Sequence, residues 1–144
     1  VWGNFVNRNL AFINKYLGGN IPHGTLNKEI EESINACFIS AGSSIEAGNF
    51  KEALETTFDL IRFGNKYYDT KQPWKTRTSA SQLCGDTLLN CVQLISNVAV
   101  LLHPFLPFSS EKIFVWLNLK SDWKPQFVPS YYKLPKTNIL FEQL

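Results

Sequence analysis

Asn4 and Arg8 lie one helical turn apart in the opening stretch GNFVNRNLAFINKYL, Gly3 to Leu17, so their side chains can converge on one object. An amide that both donates and accepts, set beside a planar guanidinium fork, suits the polar edge of a nucleobase. A hydrogen-bonded structural pair fits the same spacing. Farther along, Trp74 follows Pro73, with Lys66, Lys71, Lys75 and Arg77 around it in sequence. An indole plate in a basic neighbourhood can stack an unpaired base while the cations hold phosphates. A Trp packed between helices is the competing reading.

Catalytic chemistry has no comparable footing. The chain contains no GxGxxG, GxxxxGK[ST], HExxH or GxSxG motif, and no HIGH- or KMSKS-type segment for ATP. His103 precedes a proline at a helix end and reads as a capping or buried histidine; as a base it would need a carboxylate partner. Asp69 and Glu142 have no second carboxylate at useful spacing. No catalytic residue is expected.

The elements that would carry the polar groups are helices. Val6, Leu10, Ile13 and Leu17 recur at i, i+4, i+7 and i+11, widened by Phe5, Phe12 and Tyr16 into a core face. Asn4, Asn7, Arg8, Ala11, Asn14 and Lys15 occupy the other side. Asn is a poor helix former because its amide competes for backbone hydrogen bonds. Its presence at positions 4, 7, 9 and 14 therefore points to something besides helix stability. Asn7 and Asn14 read as satisfying backbone or inter-helix contacts.

Gly18-Gly19-Asn20 and Pro22 stop this helix, and residues to Thr25 form a loop with His23 in solvent. A second helix is predicted over Leu26–Ala47, with Gly42-Ser43-Ser44 as a place where it would kink or split. A third runs from Phe50 to Tyr68, with Gly64 as a weak point. Pro73 suits a first helical position and would set Trp74 at a helix mouth. Thr76 to Ser81 is small and polar, and is expected to be mobile. The fourth helix, Ser81–Leu102, would be a central rod ~30 Å long. Within it Leu88–Leu102 is apolar but interrupted by Asn90, Gln93, Ser96 and Asn97, a run expected to be too short and too polar for a membrane span. Pro107 begins a last helix, capped by Ser109 or Ser110 and reaching Leu117 or Leu119. From Ser121 to Leu144 an irregular tail is expected to pack through Trp123, Phe127, Tyr131 and Leu134. The predicted fold is all-α: one domain over residues 1–144, a bundle of about five helices with an irregular C-terminal tail.

Composition narrows the partners. A net charge of +2 and a pI of about 8.4 are milder than a dedicated nucleic-acid binder shows, so any RNA contact would rest on a few specific groups. Cys37, Cys84 and Cys91 are odd in number and form no CxxC, which suits a reducing, cytoplasmic setting with no disulfide framework and no metal site. The chain lacks Met and opens within an apparent helix, as a piece of a longer protein would.

Three stretches in order resemble the anticodon-binding domain of methionyl-tRNA synthetases, a class I synthetase family. They are Gly3–Leu17, then Asn65-Lys66-Tyr67-Tyr68-Asp69 with Gln72-Pro73-Trp74-Lys75, then His103-Pro104-Phe105-Leu106-Pro107-Phe108. The closing Asn138-Ile139-Leu140-Phe141-Glu142 is similar to that domain's Pro-Leu-Phe end. The resemblance implies a tRNA partner whose CAU anticodon is unstacked and whose first base meets Asn4, Arg8 and Trp74. It also implies a catalytic domain upstream that uses ATP and methionine, no cofactor in this piece, and neither DNA nor a membrane as partner. Lys15, Asn65, Lys66, Lys71, Lys75, Arg77 and His103 fall in or near the motifs as candidates for tRNA backbone or supporting contacts. The chain departs from the family pattern at Lys71-Gln72 and where TRTSASQ follows Lys75 in place of an acidic, helix-favouring segment. Two other readings are an anticodon domain of a sister class I synthetase for leucine, isoleucine, valine or cysteine, against which the Asn4/Arg8/Trp74 set argues, and a helical protein-interaction module without RNA binding, which the weak net charge and the TRTSASQ stretch leave open.

Overall fold

The structure, a computed structural model, describes residues 2–137. Six helices follow in order: α1 (Trp2–Leu17), α2 (Lys28–Glu46), α3 (Phe50–Lys71), α4 (Pro73–Ser79), α5 (Ser81–Leu102) and α6 (Pro107–Leu117). Five are the expected long elements and α4 is an added short one. Their apolar faces close on one hydrophobic core.

α5 is the rod around which the rest pack, in contact with α1, α2, α3, α4 and α6. From Thr87 to Leu102 every one of its residues is buried. It is long and apolar enough by composition to cross a membrane, but its apolar surface is covered here by the other helices. Its buried Asn and Gln side chains hold neighbouring backbone: Gln93 Nε2 donates to Val128 O (2.8 Å), and Gln93 Oε1 accepts from Val128 N (2.7 Å). Asn97 Oδ1 accepts from Gln126 N, and its Nδ2 donates to Gln126 O and Gln93 O. Ser96 Oγ donates to Gln126 O. Asn90 does the same for the loop before α2, accepting from Asn27 N and donating to Thr25 O. A polar group buried without a partner costs about 1–3 kcal/mol, so these pairings let an apolar rod carry amides.

Several boundaries differ from expectation for identifiable reasons. α2 begins at Lys28 rather than Leu26, because the Asn27 side chain caps it by accepting from Ile30 N (3.2 Å). It runs unbroken through Gly42, on which the Trp123 ring packs. α3 continues past Tyr68 to Lys71. The segment after Trp74 is helical instead of loose: Pro73 starts α4, and the short helix packs on α5. Neither Ser109 nor Ser110 caps α6; the N-cap is Leu106, both serines are buried, and Pro107 supplies the helical φ unaided. In the tail Leu134 is buried and Trp123 packs on the core as expected. Phe127 and Tyr131 are exposed, and Val128 fills the interior in their place. Tyr131 lies flat against the exposed His23 ring, 5.7 Å between centroids. The tail also pairs with the loop after α1, where Ile21 N donates to Tyr132 O and Leu134 N to Gly19 O. Gly19, at φ +83° with Leu134 O 2.9 Å from where a Cβ would sit, is the residue that lets this crossing form. The closing Asn138–Glu142 motif lies outside the described residues.

Candidate nucleic-acid interface

Gly64 sets how closely α1 can approach α3. A Cβ there would lie 2.8 Å from Phe5 Cζ and 3.3 Å from Leu94 Cδ1, so its absence lets the two helices meet over α5. One turn along, this approach lays Arg8 over α3. The Arg8 guanidinium carbon stands 4.2 Å from the Tyr68 ring centroid. Its Nη1 donates to Asp69 Oδ1 (2.9 Å) and its Nη2 to Asn65 Oδ1 (2.8 Å). Asn65, Tyr68 and Asp69 share a face because they sit at i, i+3 and i+4. Arg8 is thus held flat by one aromatic ring and two oxygens, with its side chain a quarter exposed.

The same ring also meets Trp74. Gln72 takes the left-handed conformation (φ 50°, ψ 63°), closing α3 and turning the chain in one residue into α4. That conformation is uncommon for a residue with a Cβ, and Pro73 fixes the next φ, so the turn and Trp74 are rigidly placed. The indole sits 5.6 Å from the Tyr68 ring, tilted at 43°, and is 45% exposed. Trp74 and the Arg8 guanidinium thus meet the same aromatic ring. Asn4 is exposed and lines, with Arg8, Arg62, Asn65 and Asp69, an open depression of about 380 Å³. Burial pushes the Tyr68 phenol above its usual range while the Arg8 charge pulls the other way.

The remaining candidates separate into three places. Asn65 belongs to the Arg8 cluster. Lys66 and Lys71 line a groove with Asn27, Ile30 and Tyr67, with Lys71 Nζ 5.9 Å from the Tyr67 ring, and Lys71 also lines a second depression with Thr76 of α4. A residue one position along a helix from Asn65 points some 100° away, which is why sequence proximity misleads here. Lys75 is exposed on α4. Lys15 and Arg77 meet at Tyr16, on the same side of the molecule as Trp74. His103 closes the far end of α5, with Nε2 3.5 Å from Glu111 Oε1 and its ring 5.0 Å from Phe114; it takes no part in the Trp74 cluster.

The amides of α1 serve different ends. Asn9 is buried and donates to Phe5 O, and Asn14 donates to Thr137 Oγ1 in the tail. The amide of Asn4 makes no hydrogen bond among the described residues. Tyr68 and Asp69 are the members of the cluster that residue types alone did not single out. Their i+3 and i+4 spacing from Asn65 was the available signal.

A family model described as the anticodon binding domain of methionyl tRNA ligase matches residues 18–140. The chain belongs to that family. It is 51% identical over 126 residues to a methionine–tRNA ligase of Bacillus mycoides, covering 87% of this chain and 23% of the relative. It is 47% identical to the Bacillus cereus (strain B4264) ligase across 99% of this chain and 26% of the relative. The chain thus spans about a quarter of the length of the ligases it matches. Among solved structures, apo methionyl-tRNA synthetase of Mycobacterium tuberculosis superposes with a TM-score of 0.89 at 21% identity, over 98% of this chain and 31% of that one. At that identity the likeness speaks for the fold, and it agrees with the helical anticodon-domain architecture found here.

Proposed function

We propose that this anticodon-binding domain recognises the CAU anticodon of methionine tRNA by reading its first base at the Asn4–Arg8–Trp74 corner. The observation that carries the reading is the shared Tyr68 ring, which both an accessible indole and an oriented guanidinium approach. A cytosine drawn out of the anticodon loop would stack on Trp74 and turn its polar edge toward Arg8 and Asn4. Arg8 Nη1 gives one hydrogen to Asp69, and its second is available to an acceptor on the base edge. The Asn4 amide can accept from the exocyclic amine of cytosine and donate to its ring nitrogen. In the whole ligase, binding here would select the tRNA and direct its acceptor end to an upstream catalytic domain that joins methionine to it with ATP. The domain itself would supply recognition and no chemistry.

Fluorescence titration with an anticodon stem-loop carrying CAU, against one with a changed first base, tests this. The reading requires a preference for CAU, and equal affinities would end it.

A further inference from the structure

α1 and α4 meet at Tyr16, one turn along α4 from Trp74. The Arg77 guanidinium carbon lies 4.1 Å from the centroid of Tyr16, and Lys15 Nζ lies 5.1 Å from the same ring. Phe12 braces the ring from within α1 at 4.7 Å, leaving Tyr16 40% exposed. The periodicity reads Tyr16 as core. Instead it is a surface platform on which a guanidinium from another helix rests.

The two arginines on this side differ in what their N–H groups do. Arg8 is engaged by Asp69 and Asn65. Arg77 is also held by an aromatic face, but among the described residues it makes no hydrogen bond and no ion pair. Ring stacking uses the flat face of a guanidinium and leaves its in-plane donors pointing outward, the geometry that takes a phosphate bidentately. Trp74 and Arg77 are three residues apart on α4, so their Cβ atoms stand about 5–6 Å apart on one face. That separation is close to one nucleotide step.

We propose that Tyr16, Arg77 and Lys15 form a phosphate seat for the RNA backbone next to the base stacked on Trp74. The seat rests on the first-base reading above for its ligand, but it acts without regard to base identity. Tyr16 is a positioning residue that pre-orders Arg77, and Arg77 and Lys15 contact the phosphate.

The test is the salt dependence of stem-loop affinity for wild type, Arg77→Gln, Arg77→Lys, Tyr16→Leu and Tyr16→Phe, using both the CAU loop and the loop with a changed first base. Arg77→Gln should weaken both loops by the same factor, roughly tenfold for a lost charged hydrogen bond. It should also lower the slope of log K against log salt by about 0.7. Arg77→Lys should keep the slope, Tyr16→Leu should lose part of the affinity, and Tyr16→Phe should resemble wild type. An unchanged slope in Arg77→Gln overturns the seat, as does a loss confined to the CAU loop, since that would be base readout. The two ideas fail separately: wild type binding both loops equally defeats base reading, whereas a CAU preference with an unaltered Arg77→Gln slope defeats the seat.

Discussion

Two parts of this molecule place amides and other polar side chains on helices, and they use them in opposite ways. Along α5, Gln93, Ser96 and Asn97 are buried, and each bonds the backbone of Gln126 or Val128. At the α1–α3–α4 corner, Asn4 is exposed and Arg8 is held half-open by Asp69 and Asn65 beside an accessible indole. The first set stitches an irregular tail to a rod that would otherwise have nothing polar to bond it. The second leaves donors at the surface, oriented but incompletely used. The same residue types are thus structural where another part of the chain satisfies them, and on the proposed reading they recognise RNA where it does not.

If that contrast is right, damage to the two regions should separate stability from binding. The largest effect expected is from Asn97→Ala, which strips partners from Gln126 N and O inside the seam. A loss of about 2–4 kcal/mol in urea unfolding is expected, with stem-loop affinity unchanged wherever the domain stays folded. Gly64→Val should cost about 1–3 kcal/mol by overpacking Phe5 and Leu94, and it should also weaken the CAU loop by moving Arg8 on Tyr68. It is the substitution that links the two regions, and unaltered binding would show that Arg8 does not depend on the α1–α3 approach. Asp69→Asn, at an exposed pair, should change stability by less than about 1 kcal/mol.

The smallest signal at neutral pH comes from the buried thiols. Burial pushes Cys37 up to about 11, so between about pH 9 and that value the unfolded chain releases a proton the folded one keeps. Stability carried by this group is therefore complete below about pH 9 and lost as pH rises through the folded value. Cys91 and Cys84 are shifted in the same direction by burial. Chemical unfolding at pH 7, 9 and 10.5 should show no change over the first interval and a decline over the second.

Much of the fold is legible in the sequence because its signals are local. The bounds of α5 follow from its apolar run and the His103-Pro104 stop, and α1 from a stripe ended by two glycines. α4 is not legible in this way: TRTS carries no apolar stripe, and its helix follows from Pro73 and from packing on α5. The tail is misread for a related reason. What holds it is backbone bonded by amides of α5, so side-chain size in the tail does not show that Val128 enters and Tyr131 stays out. At the candidate site, Asn4, Arg8 and Trp74 are picked out by type; Arg8 and Trp74 both meet the Tyr68 ring, while Asn4 shares a depression with Arg8 that Trp74 does not line. Tyr68 and Asp69 need the helical face of α3 to be seen. Lys66 and Lys71, close to Asn65 and Trp74 in sequence, line a groove with Asn27 and Tyr67, a grouping that sequence order alone does not show.

The account stands most directly on how Trp74→Ala alters the ratio of affinities for the CAU stem-loop and its first-base variant, measured where circular dichroism shows the fold intact. The account predicts that the variant loses about 1–3 kcal/mol of CAU binding and most of the preference, with little change in stability. A Trp74→Ala protein that keeps the wild-type preference, or one that simply unfolds, would contradict it.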